Sequence, residues 1–310
     1  MTDLSDKHSE TLDRGAIFVT TGENYTRLAI DAARSVRTAC PGLAVDLFVD
    51  TETATSSLKS ELEDIFDQIH LLEDPWHRSK IDGMSRSRFA RTLYLDADLR
   101  VVSDLRDVFD LLDRFHLALA HDQWRNAEVC QLTWRMRLPD AYPQFNGGVI
   151  AYRRTPEVLD FLADWKAAVK AHGIGRDQPA LRELLWQSDL RVAVLPQEYN
   201  LLDWPAMQLW GPVHPGPRII HSTRFHVHFT TGNGRQAVTT LDDLVGPRLA
   251  ARMPALIAAD HGLARRAGRN PTPFAPLRGW QALTVLSRGV KRRLARTVAR
   301  LTRRQGGGDA

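Results

Sequence analysis

The stretch Arg91-Thr92-Leu93-Tyr94-Leu95-Asp96-Ala97-Asp98 decides how the chain is read. A short apolar, β-prone run ends abruptly in two carboxylates one residue apart, the pattern of a buried strand that stops at its loop. Two negative charges this close repel, so they must be solvated, ion-paired or metal-bound. A hard divalent cation with oxygen ligands is their natural partner. Such a cation could clamp two phosphates and neutralise the charge on a departing nucleotide. The competing reading is a solvated strand-to-loop turn with two surface aspartates.

Working outward, similar short apolar runs recur at Ala16–Thr20, Ala44–Val49, Gln68–Leu72 and His116–Ala120. Helical patterns separate them at Thr26–Arg37, Leu58–Phe66 and Asp104–Leu112. This alternation predicts parallel βαβ units over the first 120 residues. Ligands of such sheets bind at the carboxyl ends of the strands, where Thr20, Asp96 and His121 all fall. Further on, Gly148–Tyr152, Val192–Leu195 and Arg218–His221 read as strands, and Pro156–His172 and Asp177–Trp186 as helices. Trp204–Pro217 reads as a loop on the acceptor side.

Two cysteines, Cys40 and Cys130, in 310 residues make no disulfide framework and fit a reducing compartment. The polar start lacks an apolar signal segment, and no apolar run reaches the roughly 18 residues that span a bilayer. The net charge of +4 is uneven. Residues 278–310 hold nine Lys or Arg against one acid, a balance of +8, which leaves −4 for the rest. That argues against a nucleic-acid-binding core. In the tail, Leu283, Leu286, Val290, Leu294, Val298 and Leu301 form one helical stripe flanked by basic residues. The pattern predicts a helix lying on an anionic membrane surface. The expected organisation is a disordered N-terminus (1–13), a catalytic domain (14–264), a linker (265–277) and this basic amphipathic tail (278–310). The expected location is cytoplasmic, peripheral at the inner face of the membrane.

Several motifs, in order and spacing, resemble glycosyltransferase family 8, the retaining nucleotide-sugar transferases of the GT-A fold, including bacterial lipooligosaccharide galactosyltransferases. They are Thr20-Thr21-Gly22-Glu23-Asn24-Tyr25, Asp96-Ala97-Asp98, Asp122, Phe145-Asn146-Gly147-Gly148, Asp177-Gln178 and Leu195-Pro196-Gln197-Glu198-Tyr199-Asn200. The resemblance implies an α/β fold: a Rossmann-like, mostly parallel sheet flanked by helices. It implies a hexosyltransferase that moves a sugar, with retention, from a UDP-type donor to a hydroxyl of a glycan or lipid-linked acceptor in surface polysaccharide or lipopolysaccharide synthesis. It assigns Thr20, Thr21, Glu23, Asn24, Tyr25, Asp96 and Ala97 to the nucleotide. Lys80, Asn146 and Gly147 go to the sugar and diphosphate, with Arg86 and Arg88 as competitors of Lys80. Asp122, Asp177 and Gln178 go to the reacting centre, Gln178 stabilising oxocarbenium charge. Asp96, Asp98 and His221 would hold Mn2+ or Mg2+, with His226 and His228 as rivals of His221.

One departure stands out. The family's Gly-x-x-Lys-Pro-Trp segment after its late histidine is missing, and Arg224 or Arg235 would have to replace its lysine. The alternatives weighed are a sugar nucleotidyltransferase, disfavoured because Thr20–Tyr25 contains one glycine and no lysine, and a non-catalytic membrane-associated carbohydrate- or nucleotide-binding module.

Overall fold

The computed structural model describes residues 12–172, 175–211, 213–228 and 238–273. The chain order is β1 (Leu12–Thr20), α1 (Glu23–Ala39), β2 (Ala44–Val49), α2 (Thr51–Ala54), α3 (Lys59–Ile65), β3 (Gln68–Leu71), α4 (Lys80–Ser85), β4 (Phe89–Leu95), β5 (Leu99–Val101), α5 (Val108–Leu111) and β6 (Leu117–His121). There follow β7 (Phe145–Arg153), α6 (Pro156–His172), α7 (Gln178–Gln187), β8 (Val192–Leu195), β9 (Ile219–His221), α8 (Leu241–Val245), α9 (Pro247–Ala259) and α10 (His261–Arg266).

Seven strands form one sheet in the order β3-β2-β1-β4-β7-β6-β8. All run in the same direction except β7, which is antiparallel to both β4 and β6. The connection from β6 returns at the edge where β6 ends, so β7 enters from that edge and must run back. The expected mostly parallel α/β sheet is therefore present, with one reversed strand.

Both faces of the sheet are covered, which explains the nearly continuous apolar runs. Side chains alternate between the two layers. Phe18, Leu93, Leu95, Val149 and Ala151 pack under α1, α3 and α5. Ile17, Tyr94, Ile150 and Tyr152 pack against α4, α6 and α7, including the fully buried Trp165. The carboxyl ends of β1, β4 and β6 and the amino end of β7 thus share one edge.

A second sheet pairs β5, a strand missed in the sequence, antiparallel with β9, the strand expected at Arg218–His221, and sets Leu99 opposite His221. It rests on a third apolar cluster that includes Leu201, Met207, Trp210, Phe225 and Leu249.

Several expectations need adjustment. Leu12 and Asp13 already lie in β1 rather than in a disordered start, and residues 1–11 lie outside the described residues. The helix expected from Asp104 begins only at Val108. The Asp104 carboxylate captures the Arg106 backbone N–H at 2.9 Å and its guanidinium, which favours a turn there. The Trp204–Pro217 loop contains a 3-10 turn over Trp204–Leu209. The linker start at 265 falls inside α10, and the tail 278–310 lies outside the described residues.

Candidate active site

Asp96 and Asp98 sit between β4 and β5, held by backbone on both sides. The Asp96 N–H donates to the Gly148 carbonyl at 2.8 Å, and the Ser222 N–H donates to the Asp98 carbonyl at 3.0 Å. The β5–β9 pairing carries His221 to Asp98 across 123 residues of chain, with Nε2 3.0 Å from Asp98 Oδ1. One ligand atom from each of Asp96, Asp98 and His221 lies within 4.8 Å of the others, the three-residue cluster of metal-ligand type among the described residues.

Amide groups orient the imidazole. The Asn146 side-chain oxygen accepts from the Gly148 N–H and from Asn200 Nδ2, both at 2.9 Å. Asn200 Oδ1 is thereby turned to accept from His221 Nδ1–H at 2.8 Å, which directs Nε2 toward the carboxylates. Tyr94 donates its hydroxyl to Asp96 Oδ1. The donor set, two carboxylates and an imidazole with its far nitrogen already hydrogen-bonded, fits a divalent cation.

Gly148 has a steric role here. A Cβ at that position would stand 2.4 Å from His221 Cε1 and 2.8 Å from Asp96 Oδ2.

Burial raises the Asp98 carboxyl, but His221 and His226 outweigh it and hold the group well below the ordinary carboxylate range. Burial lowers His221, while the charges of Asp98 and Asp96 bring it above its usual value. His226 Nε2 lies 3.1 Å from Asp98 Oδ2, so it reaches the site from the far side of that carboxylate. The side chain of His228, the third candidate, lies outside what is described, as does Arg235. Arg224 is exposed, and its N–H donates to Ser222 Oγ.

A second corner is built from α4, β7 and α7. Lys80 Nζ lies 2.6 Å from Asp177 Oδ2 and donates to the Gly147 carbonyl at 3.1 Å. The ammonium sits between the rings of Tyr94 and Trp165, 5.8 and 5.7 Å from their centroids. Arg78 Nε approaches Asp177 Oδ1 at 3.6 Å, a partner the sequence reading missed. Burial raises the Asp177 carboxyl, but Lys80 and Arg78 keep it below its ordinary range. Burial disfavours the Lys80 ammonium, whereas Asp177 and Asp96 stabilise it and raise its pKa.

Asp177 occupies the N-cap position of α7 without a side-chain capping bond, because its carboxylate is spent on Lys80. A Cβ on Gly147 would meet Lys80 Nζ at 3.0 Å and lie 3.7 Å from Asp177 Oδ2. Lys80 is the one of the three brought to this corner: Arg86 donates to the Leu71 carbonyl at 2.9 Å, and Arg88 is locked onto Asp46.

Gln178 follows in the first turn of α7, its Oε1 accepting from Gln144 Nε2 at 3.3 Å. Asp122 lies next to it: its N–H donates to the Gln144 carbonyl at 2.8 Å, and its Oδ1 accepts from the Trp124 N–H at 2.9 Å. Burial pushes the neighbouring Cys130 thiol up to about 11.

The β1 end is less uniform. The Thr20 hydroxyl is buried against Thr26 Oγ1 at 2.9 Å, so its side chain serves the fold. Glu23 pairs with Arg27 at 3.4 Å on the surface, Thr21 is half-buried and Asn24 is exposed. The Gly22 N–H donates to Asp50 Oδ2 at 2.7 Å, which fixes this turn. Tyr25 is 49% exposed and stands edge-on to His226 at 5.3 Å. Its free face is therefore joined through His226 to Asp98. Ala97 packs between two apolar clusters.

Sequence reasoning also missed Gln123. Its side chain donates to the Asn200 carbonyl at 2.7 Å and accepts from the Leu202 and Asp203 N–H groups at 3.0 and 2.8 Å. It pins the segment that presents Asn200. The Leu-Pro-x-x-Tyr-Asn motif was the available signal for Asn200 itself.

Comparison with known proteins bears on the fold. Residues 91–236 match the family model described as nucleotide-diphospho-sugar transferase. Among solved structures, the chain is similar to the glycosyltransferase GlyE of Streptococcus pneumoniae TIGR4, with 18% identity, 76% of this chain and 59% of that one covered, and a TM-score of 0.50. The apo form of GlyE gives 19%, 75%, 59% and 0.52. The galactosyltransferase LgtC, in complex with donor and acceptor sugar analogs, gives 17%, 67%, 87% and 0.51. The chain thus spans 59% of the length of GlyE. No curated protein sequence matches it. The fold is the GT-A fold of glycosyltransferases, as the sequence motifs led one to expect.

Proposed function

We propose that this chain is a metal-dependent glycosyltransferase that moves a sugar, with retention, from a UDP-linked donor to a hydroxyl of a glycan or lipid-linked acceptor. The observation that carries the reading is the convergence of Asp96, Asp98 and His221 at the strand edge, within 4.8 Å.

Asp96, Asp98 and His221 would hold Mn2+ or Mg2+, and the imidazole tips the preference toward Mn2+. When bound, that ion supplies charge neutralisation for the diphosphate leaving group. The chain's own groups do the rest. Tyr25 offers an exposed ring to the base. Lys80, buried and cationic, faces phosphate or sugar oxygens from the Gly147 side. Gly147 leaves room for the sugar against the backbone. Asp177, kept ionised by Lys80 and Arg78, accepts from sugar hydroxyls and is a poor candidate for covalent attack. Gln178 stabilises positive charge developing at the anomeric carbon. The bond from that carbon to the diphosphate oxygen breaks as the acceptor oxygen bonds to the same face. The acceptor's proton passes to the departing phosphate.

Incubation of the full chain with a panel of UDP-sugars, with Mn2+ or with a chelator, tests this. Metal-dependent release of UDP is expected. No release from any donor, or release indifferent to the chelator, overturns it.

The tail carries a separate part of the proposal. Among the described residues no helix is long and apolar enough to cross a membrane. The stripe within 278–310, with its nine basic residues, supports docking on anionic lipid near a surface-polysaccharide acceptor. Removing 278–310 should abolish co-sedimentation with phosphatidylglycerol vesicles, and undiminished co-sedimentation contradicts the assignment.

A further inference from the structure

A cavity of about 490 Å³ opens beneath the connection between β6 and β7. Its inner wall is formed by Asp122 and Gln144, 7% and 3% exposed. Gln144 reaches Gln178 through a hydrogen bond of 3.3 Å, so the cavity adjoins the end of the site where the sugar would lie. Gln144 Oε1 is buried with no hydrogen-bond partner. A buried acceptor left unpaired costs about 1–3 kcal/mol, so it is most economically explained by a donor that arrives with a ligand. With the Asp122 carboxylate beside it, this wall calls for hydroxyl groups. Leu138, Tyr142, Pro143 and Cys130 supply the apolar part of the lining, interleaved with the polar groups rather than gathered on one face-sized patch.

Three arginines, Arg125, Arg137 and Arg182, stand on the rest of the lining among Asn126, Gln131, Thr133 and Asp140. Arg125 Nη2 donates to the Asp140 carbonyl at 2.6 Å, and Arg182 Nη2 donates to the Tyr142 and Pro139 carbonyls at 2.5 and 3.3 Å. Carbonyls orient a guanidinium without neutralising it. The nearby Asp140 carboxylate is shared at 3.4 Å with Arg137, at the surface. Arg125 and Arg182 therefore present guanidinium groups on preset forks, held by carbonyls and not by a carboxylate, which is how arginine recognises carboxylate or phosphate.

We propose that this cavity binds an acidic saccharide as the acceptor, its carboxylate or phosphate on Arg125 and Arg182 and its hydroxyls on Asp122 and Gln144. The assignment rests on the transferase reading for the word acceptor, but the site itself does not.

The test is saturation-transfer NMR titration of the full chain with glucuronic acid, glucose 6-phosphate and glucose. At least one acid should bind about tenfold more tightly than glucose, and the stronger of the two identifies the anion. Arg125→Gln and Arg182→Gln should each narrow that gap to about threefold or less, whereas Arg125→Lys and Arg182→Lys, which keep the charge but lose the fork, should retain an intermediate gap and guard against a folding artefact. Equal binding of glucose and both acids, or a gap that survives the double Gln variant, overturns the proposal. UDP-sugar hydrolysis is followed in the same samples. Discrimination without hydrolysis upholds the acidic site while removing the transferase reading. Hydrolysis without discrimination does the reverse.

Discussion

Asp46 and Asp98 are both buried aspartates of the parallel half of the molecule, yet their surroundings differ in kind. Asp46, on β2, is closed on itself. Arg88 donates to it through Nε and Nη2 at 2.7 and 3.0 Å, and His70 Nε2 adds a contact at 3.2 Å. Each charge there has its complement, so nothing further is invited. Asp98 shares its neighbourhood with a second carboxylate, Asp96, and is flanked by two imidazoles, His221 and His226. Like charges have been gathered and aimed at common space, an arrangement that stabilises no fold by itself and on which the proposed cation site rests. Burial of charge alone therefore does not mark a site in this protein. Convergence of ligand atoms that compete for one position does.

The comparison breaks most visibly in activity. Asp98→Asn should lower metal-dependent UDP-sugar turnover by roughly 10^3-fold, equivalent to several kcal/mol of lost transition-state stabilisation. Asp46→Asn should leave the turnover of folded protein unchanged. If both variants lose activity alike, the distinction between the clusters is wrong.

The two glycines of the β7 entry sharpen it next. Gly148→Ala drives a methyl into His221 and Asp96 and should cost about 10^2-fold in kcat, the scale of a misplacement near 1 Å. Gly147→Ala presses less closely, with Lys80 Nζ nearest at 3.0 Å and Asp177 Oδ2 at 3.7 Å, and should cost about tenfold or less, mainly in donor KM. Steady-state kinetics of the two variants, side by side, checks the order.

Stability reverses the ranking. Asp46→Asn strands the Arg88 guanidinium in a buried place and should destabilise by about 3 kcal/mol, a Tm lower by about 6–12 °C in a domain of this size. Burial raises the Asp46 carboxyl, but His70 and Arg88 bring it below 3.8 overall. Its contribution is thus fully present above that unfolded value and is lost as pH falls through the lower folded one. The gap between wild type and Asp46→Asn in urea melts should shrink below about pH 4. A gap that widens there contradicts the pairing.

How much of this could be seen beforehand follows from range. β2, β8 and α6 appear at the expected residues because local apolar pattern, and a proline at the start of α6, settle them. The Asp96-Ala97-Asp98 motif at the end of β4 was legible for the same reason: strand and motif are contiguous. Direction was not, since no local signal says that β7 runs against β4. Nor was the choice among His221, His226 and His228, because it depends on β5, three residues long, pairing with a strand 120 positions away. Lys80 could be chosen over Arg86 and Arg88 only when Asp177 had been brought to it from α7. Asn200 acts on the His221 side chain and Gln123 on the backbone that carries Asn200, so their importance emerges only with the hydrogen bonds they make.

The central claim is tested most directly by titrating Mn2+ into the full chain and following free Mn2+ by electron paramagnetic resonance, with UDP present and absent. One bound ion per chain is expected, tightened by UDP and lost in Asp98→Asn and in His221→Ala. An equal uptake of Mn2+ by wild type and both variants, or none by wild type, would contradict the assignment of Asp96, Asp98 and His221.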